Sequence, residues 1–329
     1  MGCNSCLIED LQYEIKMNND HNQSALLGII KCLNSRKIEV TVKENILCIT
    51  ESGVKELLGL SMDGLNQQLI SFRLHTQEWK PISEIEKMLE MQWVDEVIKK
   101  KLITCHFQPI VNVSGEIFAY EILSRFVKED GTLIYPSDIF LAAKNRGRLY
   151  ALDRLCRMTA VKYASCLKNK KAFINFIPTS IYSPEFCLQS TTRLANHLGM
   201  DPSQIVFEVV ETEKVVDIAH LKKILAFYKE KGFEYALDDV GEGFSTIELL
   251  EDLKPHYMKL DMQYVRGVDS DLKKQQIAKQ FLHKATETGS IPLAEGVEEI
   301  EEFEWLKQAG YQLFQGYLFG KPSPHAMDE

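Results

Sequence analysis

From about Lys99 onward, apolar runs of strand length alternate with segments of helical periodicity. The runs are "ITCHFQPIVNV", "EIFAYEILSRF", "KAFINFIP", "QIVFEVVE", "EYALDDV", "HYMKLDM", "SIPLAEGV" and "YQLFQGYLF". Most are separated by stretches such as "DIAHLKKILAFYKEKG" and "KKQQIAKQFLHKATETG", in which apolar residues return about every three to four positions. Both stretches end in glycine, a common helix stop. Eight strand candidates interleaved with helices predict an α/β fold of the TIM-like (β/α)8 barrel type. The first two runs are separated only by "SGE". That is too short for a helical crossover, so they are predicted to form an antiparallel hairpin.

The first hundred residues have a different texture. They contain a helix candidate around "SALLGIIKCLN", a hairpin candidate "KIEVTVKENILCIT" and a helical pattern from Ile82 to Lys101. The stretch "ITESGVKELLGLSMDGL" is similar to the strand–helix opening of a PAS sensor, but too little sequence follows to complete such a domain. The expected organisation is a small α+β N-terminal region over residues 1–98, sensory or regulatory and ending in a connector helix, followed by a catalytic barrel over 99–329.

Composition narrows the class. The chain has 329 residues, 45% hydrophobic and 26% charged, enough apolar content for a real core and too much for wholesale disorder. No apolar run reaches the length of a membrane span, and the N-terminus lacks the layout of a secretion signal. A formal charge of −9 argues against a broad nucleic-acid-binding surface. An anionic ligand then needs local cations, either side chains or metals. The eight cysteines are mostly isolated. Cys105, Cys156, Cys166 and Cys187 read as core or near-surface thiols in a reducing compartment, which makes the cytoplasm the expected location. Cys3 and Cys6 form a terminal Cys-x-x-Cys without a clear second pair, a pattern that fits zinc or redox chemistry less well than plain reduced thiols.

The chemistry lies in what interrupts the apolar runs. Glu121, Asn175, Glu208, Asp238, Lys259, Glu295 and Gln315 each stand inside or at the end of a strand candidate. Any one of them alone reads as a strand end turned to water. Their recurrence, strand after strand, is different, because the strand ends of a β/α barrel converge on one face. Four acids, an amide and a glutamine are hard oxygen donors suited to Mg²⁺ or Mn²⁺, and no His or Cys pair in the barrel has zinc spacing. Adjacent Asp238 and Asp239 repel each other unless cations sit between and around them. Two metals about 3.5–4 Å apart clamp the oxygens of a phosphate ester during in-line displacement.

These residues resemble the EAL domain, the cyclic-di-GMP phosphodiesterase family, over about the last 230 residues of the chain. "FQPIVNVSGEIFAYEILSR" resembles its opening, with Glu121-Ile122-Leu123 in place of the naming tripeptide Glu-Ala-Leu. "FINFIP", "FEVVETE", "LDDVGEGFSTI", "MKLD", "AEGVE" and "QGYLFGKP" follow in the family's order. The resemblance implies a barrel whose first strand is antiparallel. It also implies Mg²⁺- or Mn²⁺-dependent hydrolysis of cyclic-di-GMP to linear pGpG, and a homodimer through the barrel. Carried over, Glu121, Asn175, Glu208, Asp238, Asp239 and Glu295 match the metal ligands. Lys259 matches the residue that orients the attacking water, and Gln315 completes the site. Glu211 matches the glutamate that tethers the loop after Asp239. It stands three residues beyond Glu208 and so faces the other way on a strand. Arg125 matches the arginine that grips the ligand phosphate, with Gln108 and Asp261 as further substrate-binding positions.

The chain departs from the family pattern at Val240 for phenylalanine, Glu242 for threonine and Val210 for threonine. The first two alter the loop that in this family couples dimer packing to metal binding. They leave an alternative open: a catalytically weak cyclic-di-GMP receptor acting through protein partners. The complete set of charged site positions favours an active hydrolase.

Overall fold

The structure, a computed structural model, describes residues 10–17, 20–43, 45–59, 67–74, 77–209, 217–237 and 253–327. The described chain divides into two units. One comprises Leu102–Pro136 and the residues from Asp153 onward; the other comprises the residues up to Lys101 together with Ser137–Leu152.

In the first unit the expected strands all form. They are β6 (Ile103–Asn112), β7 (Ile117–Val127), β9 (Lys171–Phe176), β10 (Ile205–Val209), β11 (Glu234–Leu237), β12 (Tyr257–Leu260), β13 (Ile291–Ala294) and β14 (Leu313–Gln315). A short β8 (Leu133–Ile134) adds to β7 as an outer strand. The pairing runs β6-β14-β13-β12-β11-β10-β9-β7 and closes through β6–β7, so eight strands make a barrel. β6 is antiparallel to both neighbours, β7 and β14, while the other pairs around the ring are parallel. The tight Asn112–Ile117 connection leaves no room for a crossover, which dictates that direction.

The barrel interior carries one apolar layer to which every strand contributes one side chain: Ile110, Ala119, Phe173, Val206, Ala236, Tyr257, Leu293 and Leu313. Neighbouring strand residues face outward into a larger core against the helices, for example Ile174, Phe207, Met258 and Phe314. The surrounding helices include α5 (Pro136–Asn145), α6 (Leu149–Ala164), α7 (Pro184–Cys187), α8 (Gln189–His197) and α9 (Ile218–Glu230). They continue with α10 (Met262–Val265), α11 (Leu272–Thr288) and α12 (Ile300–Ala309). α11 stops at Gly289, whose φ of +72° is the left-handed cap that its sequence position predicts.

The second unit contains an antiparallel sheet of β1 (Gln12–Met17), β2 (Val40–Lys43), β3 (Ile46–Thr50), β4 (Ile70–Leu74) and β5 (Lys80–Pro81), in the order β2-β3-β1-β4-β5. Helices α1 (Asp20–Ser35) and α2 (Glu51–Gly59) connect β1 to β2 and β3 to β4, the split βαβ arrangement. Alternation along the strands buries Tyr13, Ile15, Leu47, Ile49, Ile70 and Phe72 in one core. The predicted hairpin is β2–β3. Ile49–Gly59 of the PAS-like stretch forms the end of β3 and α2.

The helical pattern from Ile82 to Lys101 is divided into α3 (Ile85–Glu90) and α4 (Trp93–Lys100). At the break, Met91 N–H turns back to Met88 O, and that same carbonyl accepts from Arg146 Nη1 at 3.1 Å. A tertiary donor thus occupies a carbonyl that an unbroken helix would use for its own next turn.

Candidate active site

The polar residues singled out in the strands follow the interior apolar layer by two positions. Phe173 leads to Asn175, Val206 to Glu208, Tyr257 to Lys259, Leu293 to Glu295, Leu313 to Gln315 and Ala119 to Glu121. A step of two along a strand keeps the same face, so these side chains belong to the next layer of the interior. On antiparallel β6 the step runs backward, from Ile110 to Gln108, which pairs with Glu121.

Two hydrogen-bonded sets result. Glu121 accepts from Asn175 Nδ2 at 2.8 Å through one oxygen and from Gln315 Nε2 at 2.6 Å through the other. Gln315 Nε2 also donates to Gln108 Oε1 at 3.1 Å. In the other set Lys259 Nζ meets Glu208 Oε1 at 2.5 Å and also pairs with Glu295 Oε1. Glu208 and Lys259 are 0% and 1% exposed, so this charge is held by its partners rather than by water. Two arms of the site pack closely. Gly296, with φ of +68°, would place a Cβ 2.3 Å from Met262 Cβ, and a Cβ on Gly316 would lie 1.9 Å from Val297 O. The glycines of "AEGVE" and "QGYLF" are therefore required by backbone approach.

The remaining sequence candidates are placed as follows. Arg125 shares the Glu121 face of β7 four residues on, and its Nη1 donates to Ser124 O at 2.9 Å. The Asp261 carboxylate caps α10, accepting from Gln263 N at 2.7 Å. Glu211, Asp238 and Asp239 lie outside the described residues, as do Cys3, Cys6, Val240 and Glu242.

One residue escaped the sequence reading. Glu302 is 3% exposed. One of its oxygens accepts from Gly267 N at 2.7 Å, and the other accepts from Glu298 N at 2.9 Å and Glu299 N at 3.2 Å. It thereby ties the chain following Lys259 to the chain following Glu295. Beside it Arg266 pairs with Glu298 and holds that carboxyl below its ordinary pKa. The available signal was the Glu-x-x-Glu capping box at Glu299–Glu302.

Among the described residues, no three His, Cys, Asp or Glu side chains gather closely enough to hold a metal ion. The donor set nonetheless suits a hard divalent cation. Asn175 commits its amide nitrogen to Glu121, which leaves its oxygen as the ligand atom. Gln315 Oε1 is buried with no hydrogen-bond partner among the described residues. An unsatisfied buried acceptor in an acid-lined interior calls for an unmodelled cation or donor.

With this geometry in hand, the class is clear: the chain belongs to the EAL-domain family, whose model matches residues 91–322. It is 26% identical over 244 residues to the cyclic di-GMP phosphodiesterase PdeF of Escherichia coli, covering 73% of this chain and 32% of that protein. It is 28% identical over 236 residues to the probable cyclic di-GMP phosphodiesterase PdeB of the same organism, covering 70% and 45%. The match thus spans less than half the length of these curated relatives. Among solved structures, a standalone versatile EAL protein from Vibrio cholerae in its c-di-GMP-bound form is 38% identical, with a TM-score of 0.59, covering 67% of this chain and 92% of that one. No helix among the described residues is long and apolar enough to cross a membrane.

Proposed function

We propose that this protein hydrolyses cyclic-di-GMP to linear pGpG with Mg²⁺ or Mn²⁺. The observation that carries this reading is the polar layer of the barrel interior, with buried Lys259 held between Glu208 and Glu295. A purely structural barrel fills that layer with aliphatic side chains. Glu121, Asn175, Glu208 and Glu295 would hold the metal ions, joined on sequence position alone by Asp238 and Asp239. When bound, divalent cations neutralise phosphate charge and lower the pKa of the attacking water. Lys259 orients that water by donating to its oxygen, Gln315 and Gln108 fix the Glu121 carboxylate, and Arg125 binds the phosphate. The water oxygen bonds to phosphorus, one ester bond to a ribose oxygen breaks, and the proton passes to the leaving oxygen. The same reading entails a cytoplasmic homodimer formed through the barrel.

The altered residues Val240 and Glu242 favour a second reading, a receptor that binds cyclic-di-GMP with negligible turnover. Incubating purified protein with cyclic-di-GMP and Mg²⁺ or Mn²⁺, with chromatographic separation of pGpG, decides between them. We expect pGpG to accumulate and excess EDTA to stop it. Saturable binding without product would establish the receptor, and full turnover in EDTA would remove the metal mechanism.

A further inference from the structure

The second unit contains a buried charge cluster that the nucleotide site does not use. Arg146 is 1% exposed. Its Nε and Nη2 donate to Asp95 Oδ2 at 3.0 and 2.5 Å, Nη2 reaches Glu51 Oε1 at 3.0 Å, and Nη1 donates to Met88 O. Arg148 Nε donates to the other oxygen of Asp95 at 2.7 Å. Glu51 also accepts from Tyr13 OH at 2.8 Å and from Gln92 Nε2. Burial works against the guanidinium charge, but the bonds from Asp95 and Glu51 outweigh it and raise the Arg146 pKa. Well-packed apolar side chains can replace such a cluster without loss of stability, so its distinctive contribution is one defined arrangement.

The two arginines stand on chain that the barrel sends out and takes back. The chain leaves the barrel unit after Pro136 and returns at Asp153, inside α6. Asp153 is 2% exposed. Its Oδ1 accepts from Ile177 N at 3.0 Å, and its Oδ2 is held by Arg157 Nη2 at 3.0 Å. Arg157 in turn donates to Thr191 Oγ1 at 2.6 Å. Ile177 lies two residues beyond Asn175, at the end of β9. One helix therefore has its first residues anchored through the N-terminal cluster and its next turn bonded to the strand end of the site.

We propose that the Arg146–Asp95–Glu51 cluster is the coupling element by which the N-terminal unit regulates the barrel site, acting through α6 and Asp153 on the position of Asn175. This rests on the hydrolase reading for the role of Asn175. A change in the N-terminal unit that withdraws Glu51 or Asp95 releases the start of α6 and loosens the Ile177 amide. Coupling is reciprocal, so whatever orders the site also protects the cluster.

The test uses the full chain. Glu51→Gln/Asp95→Asn/Arg146→Met removes the charges together and keeps side-chain size, so no ion is left buried alone. Tyr13→Phe is the milder variant, deleting one bond to Glu51. Glu14→Gln, which breaks the Arg73 pair at 2.6 Å in the same unit, is the control. Amide hydrogen exchange at Ile177 is read against Val206–Val209 of β10, alongside turnover of cyclic-di-GMP. We expect the triple variant to speed Ile177 exchange at least threefold and lower turnover at least threefold, with β10 unchanged, Tyr13→Phe intermediate and Glu14→Gln at wild type. A folded triple variant with wild-type Ile177 exchange overturns the proposal. If the triple variant does not fold, wild-type exchange in Tyr13→Phe overturns it instead. Because exchange is read without catalysis, faster Ile177 exchange in a protein with no turnover leaves the coupling standing and removes only the hydrolase reading.

Discussion

Each unit of the molecule buries a cation between two acids, and the two clusters are built differently. Arg146 sits between Asp95 and Glu51, and its planar guanidinium spends donors on both acids and on a backbone carbonyl. Lys259 sits between Glu208 and Glu295 as a compact point charge, in an interior where Gln315 Oε1 lacks a partner. Arginine's rigid fork favours a single closed geometry, whereas an ammonium on a flexible stem can re-aim its protons. A saturated network holds structure in place. An incompletely satisfied one is suited to receiving something. The difference teaches that burial of charge does not by itself mark a catalytic site, and that the state of the surrounding acceptors does.

The sharpest way to break this comparison is to remove each cation. Lys259→Ala is expected to lower turnover about 10²-fold or more while cyclic-di-GMP affinity stays within about threefold, the pattern of a lost transition-state contact. Arg125→Ala is expected to weaken binding instead. Initial rates and calorimetric titration separate the two, and reversed phenotypes would refute the assigned roles. Arg146→Ala is expected to cost about 3–5 kcal/mol of stability in the second unit, because Asp95 and Glu51 are left buried and unpaired. Denaturant unfolding measures this. Mn²⁺ should raise the thermal midpoint of Lys259→Ala and leave that of Arg146→Ala unchanged; equal responses would erase the distinction between the clusters.

A smaller effect is expected at Glu302. Glu302→Gln keeps one acceptor oxygen and turns an amide toward backbone donors, at a cost of about 1–3 kcal/mol. Turnover should fall several-fold with KM unchanged, since the arms bearing Lys259 and Glu295 lose one tie. A rise in KM at constant kcat would show that the tie serves binding.

The smallest effect concerns pH. Burial alone would raise the Glu51 pKa, but hydrogen bonds from Arg146, Gln92 and Tyr13 lower it below the ordinary 4.5. A carboxyl with a depressed folded pKa contributes stability that is present above its unfolded value and lost as pH falls through the folded one. The thermal midpoint of the second unit should therefore drop below about pH 4.5, and less steeply in Glu51→Gln. Parallel acid profiles for the two proteins would show that Glu51 does not carry the dependence.

Much of the barrel was legible because strands repeat with a period of two. Any polar residue two positions beyond an inward apolar one must face inward as well, so Asn175, Glu208, Lys259, Glu295 and Gln315 could be picked out of their runs without coordinates. The hairpin of β6 and β7 was legible from the length of its connection. β1 and β4 escaped notice, because "QYEIKM" and "ISFRL" are short and mix charges into their outward face. The break between α3 and α4 was also hidden, since the local pattern is helical throughout and the donor that interrupts it is Arg146, 58 residues from Met88.

The sequence by itself determined the barrel, the inward face of its strands and the hard-donor chemistry of its site, because each follows from spacing within a few residues. Only the tertiary structure decided which partners those side chains take. It joined Lys259 to Glu208 and Glu295, set Glu302 between two arms of the site, and placed Arg146 against acids 51 and 95 residues away in the chain. The physical reason is range. Strand and helix periodicity report which way a side chain points within its own element, while ion pairs form between any elements that packing brings together, and no local spacing records that meeting.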